Sequence, residues 1–224
     1  MNNIDTYKTI IFDCDGVILD SNDIKSQAFY ELALPYGKKE AELLVGYHKK
    51  NGGVSRHRKI EYFFEYILKY PNNKTRVVET VDLFGRLVSD KLLTCPMTAF
   101  CEDFLNRLMP DATKIIISGG LESELNFVFR KRGLDGYFKG IFGSPRSKEE
   151  ILNALKIKKE LILPAVYFGD SRYDYEMAKL FNMDFVFMSD YSEFDGSREL
   201  SGLPGVRIIR NFKDVISGMV MNNR

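Results

Sequence analysis

The segment Thr9-Ile10-Ile11-Phe12-Asp13-Cys14-Asp15-Gly16-Val17-Ile18-Leu19-Asp20-Ser21 decides the architecture. Its first four residues form an apolar, β-branched run that stops abruptly at a carboxylate. A continuous run of this kind suits a strand buried on both faces, as in a parallel sheet. The pattern recurs downstream. Ile115-Ile116-Ile117 ends at Ser118, and Ala165-Val166-Tyr167-Phe168 leads through Gly169 to Asp170. Phe185-Val186-Phe187 and Val206-Arg207-Ile208-Ile209 are further strand candidates. Helical patterns lie between them, at roughly Glu122 to Arg132, Lys148 to Leu155, Arg172 to Phe181 and Phe212 to Met221. This alternation predicts an α/β fold with a doubly wound parallel sheet and right-handed crossovers. Ligands bind such sheets at the carboxyl ends of the strands, so Asp13, Ser118 and Asp170 are expected to converge.

From about Ser21 to Cys95 the alternation breaks. Helical patterns at Asn22 to Leu34, Ile60 to Leu68 and Val77 to Leu93 follow one another without a convincing strand, punctuated by Gly52-Gly53 and Pro71-Asn72-Asn73. The expected organisation is a core of residues 1–20 and 96–224 with an inserted helical cap domain of residues 21–95. Ser189 to Gly205 is polar and turn-rich and reads as a surface loop.

The 224 residues are 45% hydrophobic and 28% charged, which argues against a disordered chain. A net charge of +1 lacks the basic excess typical of nucleic-acid binders, so none is expected as a partner. Cys14, Cys95 and Cys101 are too few for a disulfide framework and lack metal-ligand spacing. They read as reduced thiols. With no secretory pattern before Lys8 and no apolar run long enough to span a bilayer, the expected location is cytoplasmic, without a membrane partner.

Asp13 and Asp15 stand two residues apart at a predicted strand end, and Gly16 permits the sharp turn that would aim both at one site. Asp-x-Asp alone is weak, but three more motifs follow in order. Ser118 ends the run Lys114-Ile115-Ile116-Ile117; Lys148 follows Ser144-Pro145-Arg146-Ser147; Gly169-Asp170-Ser171-Arg172-Tyr173-Asp174 closes the set. Together they resemble the four motifs of the haloacid dehalogenase superfamily, over nearly the whole chain. The resemblance implies that Asp13 is the nucleophile, Asp15 the general acid and base, Ser118 a phosphate ligand and Lys148 the cation that steadies both. It further implies Mg²⁺ held by Asp13, the backbone carbonyl of Asp15, Asp170 and, directly or through water, Asp174. Gly119 joins Ser118 as a substrate-binding candidate. Lys131, Lys139 and Arg146 compete with Lys148, which is preferred because it opens a helical run.

The chemistry accounts for these residue types. Phosphoryl transfer needs an in-line nucleophile, charge neutralisation and a proton for the leaving oxygen. An attacking aspartate forms an aspartyl-phosphate and splits one difficult step into two. A divalent cation offsets the repulsion between carboxylate and phosphate.

Each motif also has a plainer reading. Asp170 alone would be a helix N-cap, with Asp174 facing solvent. Cys14 reads as a packed thiol whose neighbouring carboxylates disfavour thiolate. His48 and His57 lack the partners of a zinc site. Gly46 to Lys59 is expected to be a loop carrying Lys49, Lys50, Arg56, Arg58 and Lys59, either a solvated face or a specificity loop in which Arg56 or a neighbour grips the substrate's distal group. Asp15 argues against a dehalogenase. A phosphomutase of the β-phosphoglucomutase type shares all four motifs, but such relatives carry a histidine where this chain has Lys25. A non-catalytic binding protein is the remaining alternative, opposed by the intact acidic set. The preferred expectation is a Mg²⁺-dependent phosphatase acting on a small phosphorylated metabolite such as a sugar phosphate, phosphoglycolate or a nucleoside monophosphate. The oligomeric state is not readable.

Overall fold

The computed structural model describes residues 3–70 and 74–222; the Pro71-Asn72-Asn73 punctuation lies outside them. After strand β1 (Thr9–Phe12) come helices α1 (Asn22–Ala33), α2 (Lys38–Lys50), α3 (Arg56–Tyr62), α4 (Lys74–Thr94) and α5 (Cys101–Arg107). The chain then alternates: β2 (Thr113–Leu121), α6 (Glu122–Lys131), β3 (Gly140–Ser144), α7 (Lys148–Ile157), β4 (Ala165–Gly169), α8 (Arg172–Leu180) and β5 (Asp184–Met188). A short α9 (Ser197–Leu200), β6 (Val206–Ile209) and α10 (Phe212–Asn222) complete it.

The strands form one parallel sheet in the order β3-β2-β1-β4-β5-β6, with β1 central. Successive side chains of a strand face opposite sides, and β1 serves both. Phe12 stacks on Phe168 at 5.2 Å, inside an aromatic cluster with Phe104, Phe138 and Phe212. Ile11 points the other way, into a second core with Ile117 and Tyr167, covered by Ile151 and Leu152 of α7 and Met177 of α8. Burial on both faces is what the uninterrupted apolar run required.

The helices α1 to α4 are carried on a neck. Asp20 N–H donates to Pro96 O (3.0 Å) and Thr98 N–H to Ile18 O (3.0 Å), so the outgoing and returning strands lie side by side. Beyond the neck, Phe29, Leu44, Ile60, Phe63, Phe84 and Val88 are all buried and continuous with the hydrophobic cluster on the Phe12 face of the sheet. Among the described residues, no helix is long and apolar enough to cross a membrane.

Several expectations need correction. Residues 46–59 are not one loop: Gly46 to Lys50 end α2, Arg56 to Lys59 begin α3, and only residues 51–55, with Gly52-Gly53 among them, separate the two helices. The segment 189–205 is not a plain surface loop. It contains α9, and Tyr191 and Glu193 fold inward onto the helical insertion. β2 does not stop at Ser118 but continues to Leu121. Its pairing with β3 jumps from Ile117↔Phe142 to Leu121↔Ser144, so four residues of β2 span two of β3. Such a bulge re-aims the extra residues, here Ser118 to Gly120. Sequence patterning missed β3, α2 and α5.

Replacing Phe12 with Ala removes the ring on which this aromatic cluster is built, and should lower the unfolding free energy by about 3–5 kcal/mol. Urea titration checks this; a loss below about 1 kcal/mol would mean that the sheet does not depend on that face.

Candidate active site

Asp13 is the first residue beyond β1, its N–H tied to Phe168 O of β4 at 2.9 Å. The chain then folds tightly: Leu19 N–H donates to Cys14 O, and Gly16 N–H to Leu19 O. Gly16 has φ +72°, and a Cβ there would stand 2.4 Å from Asp170 Oδ2. Any side chain would therefore be strained and would push Asp170 away. The Asp-x-Asp-Gly turn and the Gly-Asp turn after β4 are built against each other.

Where they meet, carboxylate oxygens of Asp13, Asp170 and Asp174 all lie within 4.8 Å of one another, and all three residues are buried. Lys148, at the start of α7, is buried beside them, with Nζ 2.6 Å from Asp174 Oδ1 and 3.0 Å from Asp13 Oδ1. Asp174 is the buried acid of a capping box: its Oδ2 accepts from the N–H (3.2 Å) and hydroxyl (2.6 Å) of Ser171, the true N-cap of α8. The N-cap reading of Asp170 and the solvent-facing reading of Asp174 both fail. Asp170 Oδ2 instead accepts from Asn22 Nδ2 at 2.6 Å.

One ammonium among three carboxylates leaves an excess of negative charge. Burial, reinforced by Asp174 and Asp15 against the pull of Lys148, pushes Asp13 up to about 7. Burial and the Asp13 and Asp174 charges likewise raise Asp170 well above the ordinary carboxylate range. Burial alone would lower Lys148, but Asp13 and Asp174 outweigh it and hold the ammonium strongly charged. Asp13 Oδ1 faces the Lys148 ammonium at 3.0 Å, and one such contact leaves a carboxylate oxygen a lone pair to spare. A buried all-oxygen donor set with excess negative charge and an uncommitted lone pair fits a hard divalent cation.

Asp15 faces the helical insertion. Its carboxylate accepts from Ser21 Oγ (2.6 Å) and Lys25 Nζ (2.5 Å). Burial tends to raise its pKa, but Lys25 and Ser21 prevail and keep it below the usual value. Ser118 is buried in the β2 bulge, its Oγ accepting from Gly120 N–H at 3.0 Å. Gly119 and Gly120, which follow it in the bulge, line the cavity together with Asp13, Asp15 and Asp170. Cys14 is a buried thiol raised well above its normal value by burial and then by Asp15, as expected.

The cavity, of about 50 Å³, is partly roofed by the insertion, which contributes Lys25, Phe29, His48, Gly53 and Lys59 to its lining. The Gly52-Gly53 turn rests on the core loops so closely that a Cβ on Gly52 would meet Ser171 Cβ at 2.8 Å, and one on Gly119 would meet Gly53 O at 2.4 Å. Arg56 lines the cavity, but its Nη2 is paired with Glu124 Oε1 of α6 at 2.7 Å, and its guanidinium lies over Phe84. The solvated-face reading holds for Arg58 and fails for Arg56 and Lys59, which are buried.

Sequence reasoning missed Asn22, Ser21, His48, Glu124 and Glu193, all at or near this cavity, and reached Lys59 only as one of the basic neighbours of Arg56. Asn22 and Ser21 are contiguous with the first motif and gave a faint positional signal. Glu193 gave none, because its contacts with Ser26 (2.7 Å) and Lys49 (3.0 Å) join residues far apart in the chain.

Similarity to known proteins agrees with this geometry. Residues 7–182 match the family model described as haloacid dehalogenase-like hydrolase. Among solved structures, a candidate haloacid dehalogenase-like hydrolase from Bacteroides fragilis superposes with a TM-score of 0.73 at 18% identity, over 94% of this chain and 100% of that one. A predicted phosphoglycolate phosphatase from Haemophilus somnus gives 0.70 at 16% identity, over 94% and 97%. A candidate HAD hydrolase from Bacillus subtilis, bound to magnesium, gives 0.65 at 18% identity, over 96% and 99%. No curated protein matches. At these identities the structural likeness speaks to the fold; the family model covers most of the chain, and with it the protein belongs to the haloacid dehalogenase-like hydrolases.

Proposed function

We propose that this hydrolase is a Mg²⁺-dependent phosphatase that removes the phosphoryl group of a small metabolite through Asp13. The observation that carries this reading is the buried cluster of Asp13, Asp170 and Asp174 around Lys148 at the carboxyl edge of the sheet. The helical stretch 21–95 acts as a cap domain over the core of residues 1–20 and 96–224. Its neck at Asp20 and Pro96 supports that division.

In this reading Asp13, Asp170 and the backbone carbonyl of Asp15 hold the cation, with Asp174 fixing Lys148 and joining the metal shell directly or through water. When bound, the metal offsets the charge of carboxylate and phosphate and orients the phosphoryl group for in-line attack. Lys148, kept strongly charged, steadies the Asp13 carboxylate and the equatorial phosphoryl oxygens. Ser118 has a hydroxyl hydrogen to donate to those oxygens, and the backbone N–H of Gly119 is a second donor. Asp13 attacks phosphorus, the bond to the leaving oxygen breaks, and an aspartyl-phosphate remains on Asp13. Asp15 then takes a proton from water, which attacks the phosphorus and frees Asp13. The ionised state that Lys25 and Ser21 favour is the one this second step needs. For the first step Asp15 must carry the proton it gives to the leaving alcohol.

The cap and its small cavity favour a metabolite over a phosphoprotein. Arg56 contributes the guanidinium donors that Glu124 leaves uncommitted, as part of the wall around the substrate's distal side.

Asp13→Asn should lower phosphate release from p-nitrophenyl phosphate by at least about 10³-fold, and Asp15→Asn by about 10²–10⁴-fold. Parent-like turnover in Asp13→Asn would falsify the nucleophile assignment. Chelation with EDTA should abolish turnover, and Mg²⁺ should restore it. Saturating Mg²⁺ at about a hundred times its Kd should also raise the unfolding free energy by about 2.7 kcal/mol, read as a higher melting temperature. A melting curve indifferent to Mg²⁺ would contradict the metal assignment. Gly119→Ala should depress kcat/KM while leaving the fold intact by circular dichroism, since its methyl group displaces the cap turn at Gly53. Unaltered kinetics would show that this close approach does not matter to turnover.

A further inference from the structure

The cap wall presents four cations to the cavity, and three of them have a carboxylate. Lys25 is paired with Asp15, Lys49 with Glu193 and Arg56 with Glu124. Lys59 is the exception. It is 3% exposed, lines the cavity, and among the described residues has no carboxylate within ion-pairing distance. Its Nζ lies 2.7 Å from His48 Nδ1 and 5.8 Å from the centre of the Phe29 ring. A buried ammonium without a counter-charge is costly, and a neutral imidazole with an aromatic face offsets only part of that cost.

His48 supplies a second, independent observation. It also lines the cavity and is 7% exposed. Burial, with Lys59 next, holds its pKa well below normal, so the ring is neutral. With the ammonium donating to Nδ1, the ring hydrogen sits on Nε2. That atom is buried without a hydrogen-bond partner, and its nearest acid, Glu193 Oε2, lies 3.7 Å away and already bonds Ser26. One wall of the cavity therefore holds, side by side, a buried N–H without an acceptor and a buried ammonium whose neighbour is a neutral ring rather than a carboxylate. Burial and the adjacent Lys25 charge pull Lys59 down to about 7, which an arriving anion would reverse.

We infer that Lys59 and His48 form a second anion subsite, so that the substrate carries a compact anionic group, a carboxylate or a second phosphate, on the alcohol side of its phosphoester. This rests on the phosphatase reading above and adds to it a substrate class. Lys59 is then a specificity-determining residue: it touches the distal group and takes no part in bond breaking.

The test compares three two-carbon esters: phosphoglycolate, ethylene glycol bisphosphate and hydroxyethyl phosphate, whose distal ends are a carboxylate, a phosphate and a neutral hydroxyl. In the parent enzyme, kcat/KM for at least one anionic ester should exceed that for hydroxyethyl phosphate by at least about 10-fold, as a charge-assisted hydrogen bond supplies. Lys59→Met should collapse this ratio towards one, and Lys59→Arg should restore most of it. Whichever anionic ester is preferred identifies the distal group. Calorimetric binding of the same esters to Asp13→Asn, and to Asp13→Asn with Lys59→Met, reads the subsite without turnover. Absence of phosphate release from every ester together with p-nitrophenyl phosphate would sink the phosphatase reading, while the binding ratio would still judge the subsite. A parent ratio near one overturns the inference whether or not the variants fold, and so does an undiminished ratio in folded Lys59→Met.

Discussion

The structure turns on a charge problem: three carboxylates and one ammonium are buried together at the end of the central strand. Removing ions from water costs several kcal/mol each unless they are paired and hydrogen-bonded. The fold meets part of this cost by giving Asp174 two partners, Lys148 on one side and Ser171 on the other. Asp13 and Asp170 remain with more negative charge than Lys148 can neutralise, which is why burial raises both of their pKa values. The excess makes the cluster poor as a structural ion pair and suitable as a seat for a cation and a phosphoryl group.

The helical insertion completes the arrangement from above. Its Gly52-Gly53 turn sits on Ser171 and Gly119, so the loops carrying the second and fourth motifs share one lid. Two core acids reach up to fasten it, Glu124 to Arg56 and Glu193 to Ser26 and Lys49. Lys25 reaches down to Asp15. In the proposed mechanism the acid that handles the proton, Asp15, is thus held by a residue of the insertion, while the proposed nucleophile, Asp13, is held by the core.

What the sequence made legible follows physical locality. Asp13, Ser118 and Asp170 each end an apolar run, and strand polarity alone brings such residues to one edge. Lys148 was readable because it opens a helical run directly after the Ser144-Pro145 loop. β3 escaped because Gly140 and Gly143 dilute its apolar pattern, and α2 because Lys38 to Lys50 is too polar to display a clear stripe. The lining residues His48 and Glu193 were unreadable for a different reason, and Lys59 was visible only as one basic residue around Arg56. Their meaning lies in contacts between segments far apart in the chain, and a lysine in a basic helix looks solvated until its burial is known. Arg56 shows the converse: its charge drew attention, and Glu124, which neutralises it, was invisible.

The most direct test of the account is chemical capture of the covalent intermediate. Enzyme quenched during turnover of p-nitrophenyl phosphate with Mg²⁺, then reduced with borohydride, should yield homoserine at position 13, since an acyl phosphate is reduced there and a free carboxylate is not. Steady phosphate release with residue 13 unmodified, or with the modification at Asp15 or Asp170 instead, would contradict the assignment of Asp13 as the group that attacks phosphorus.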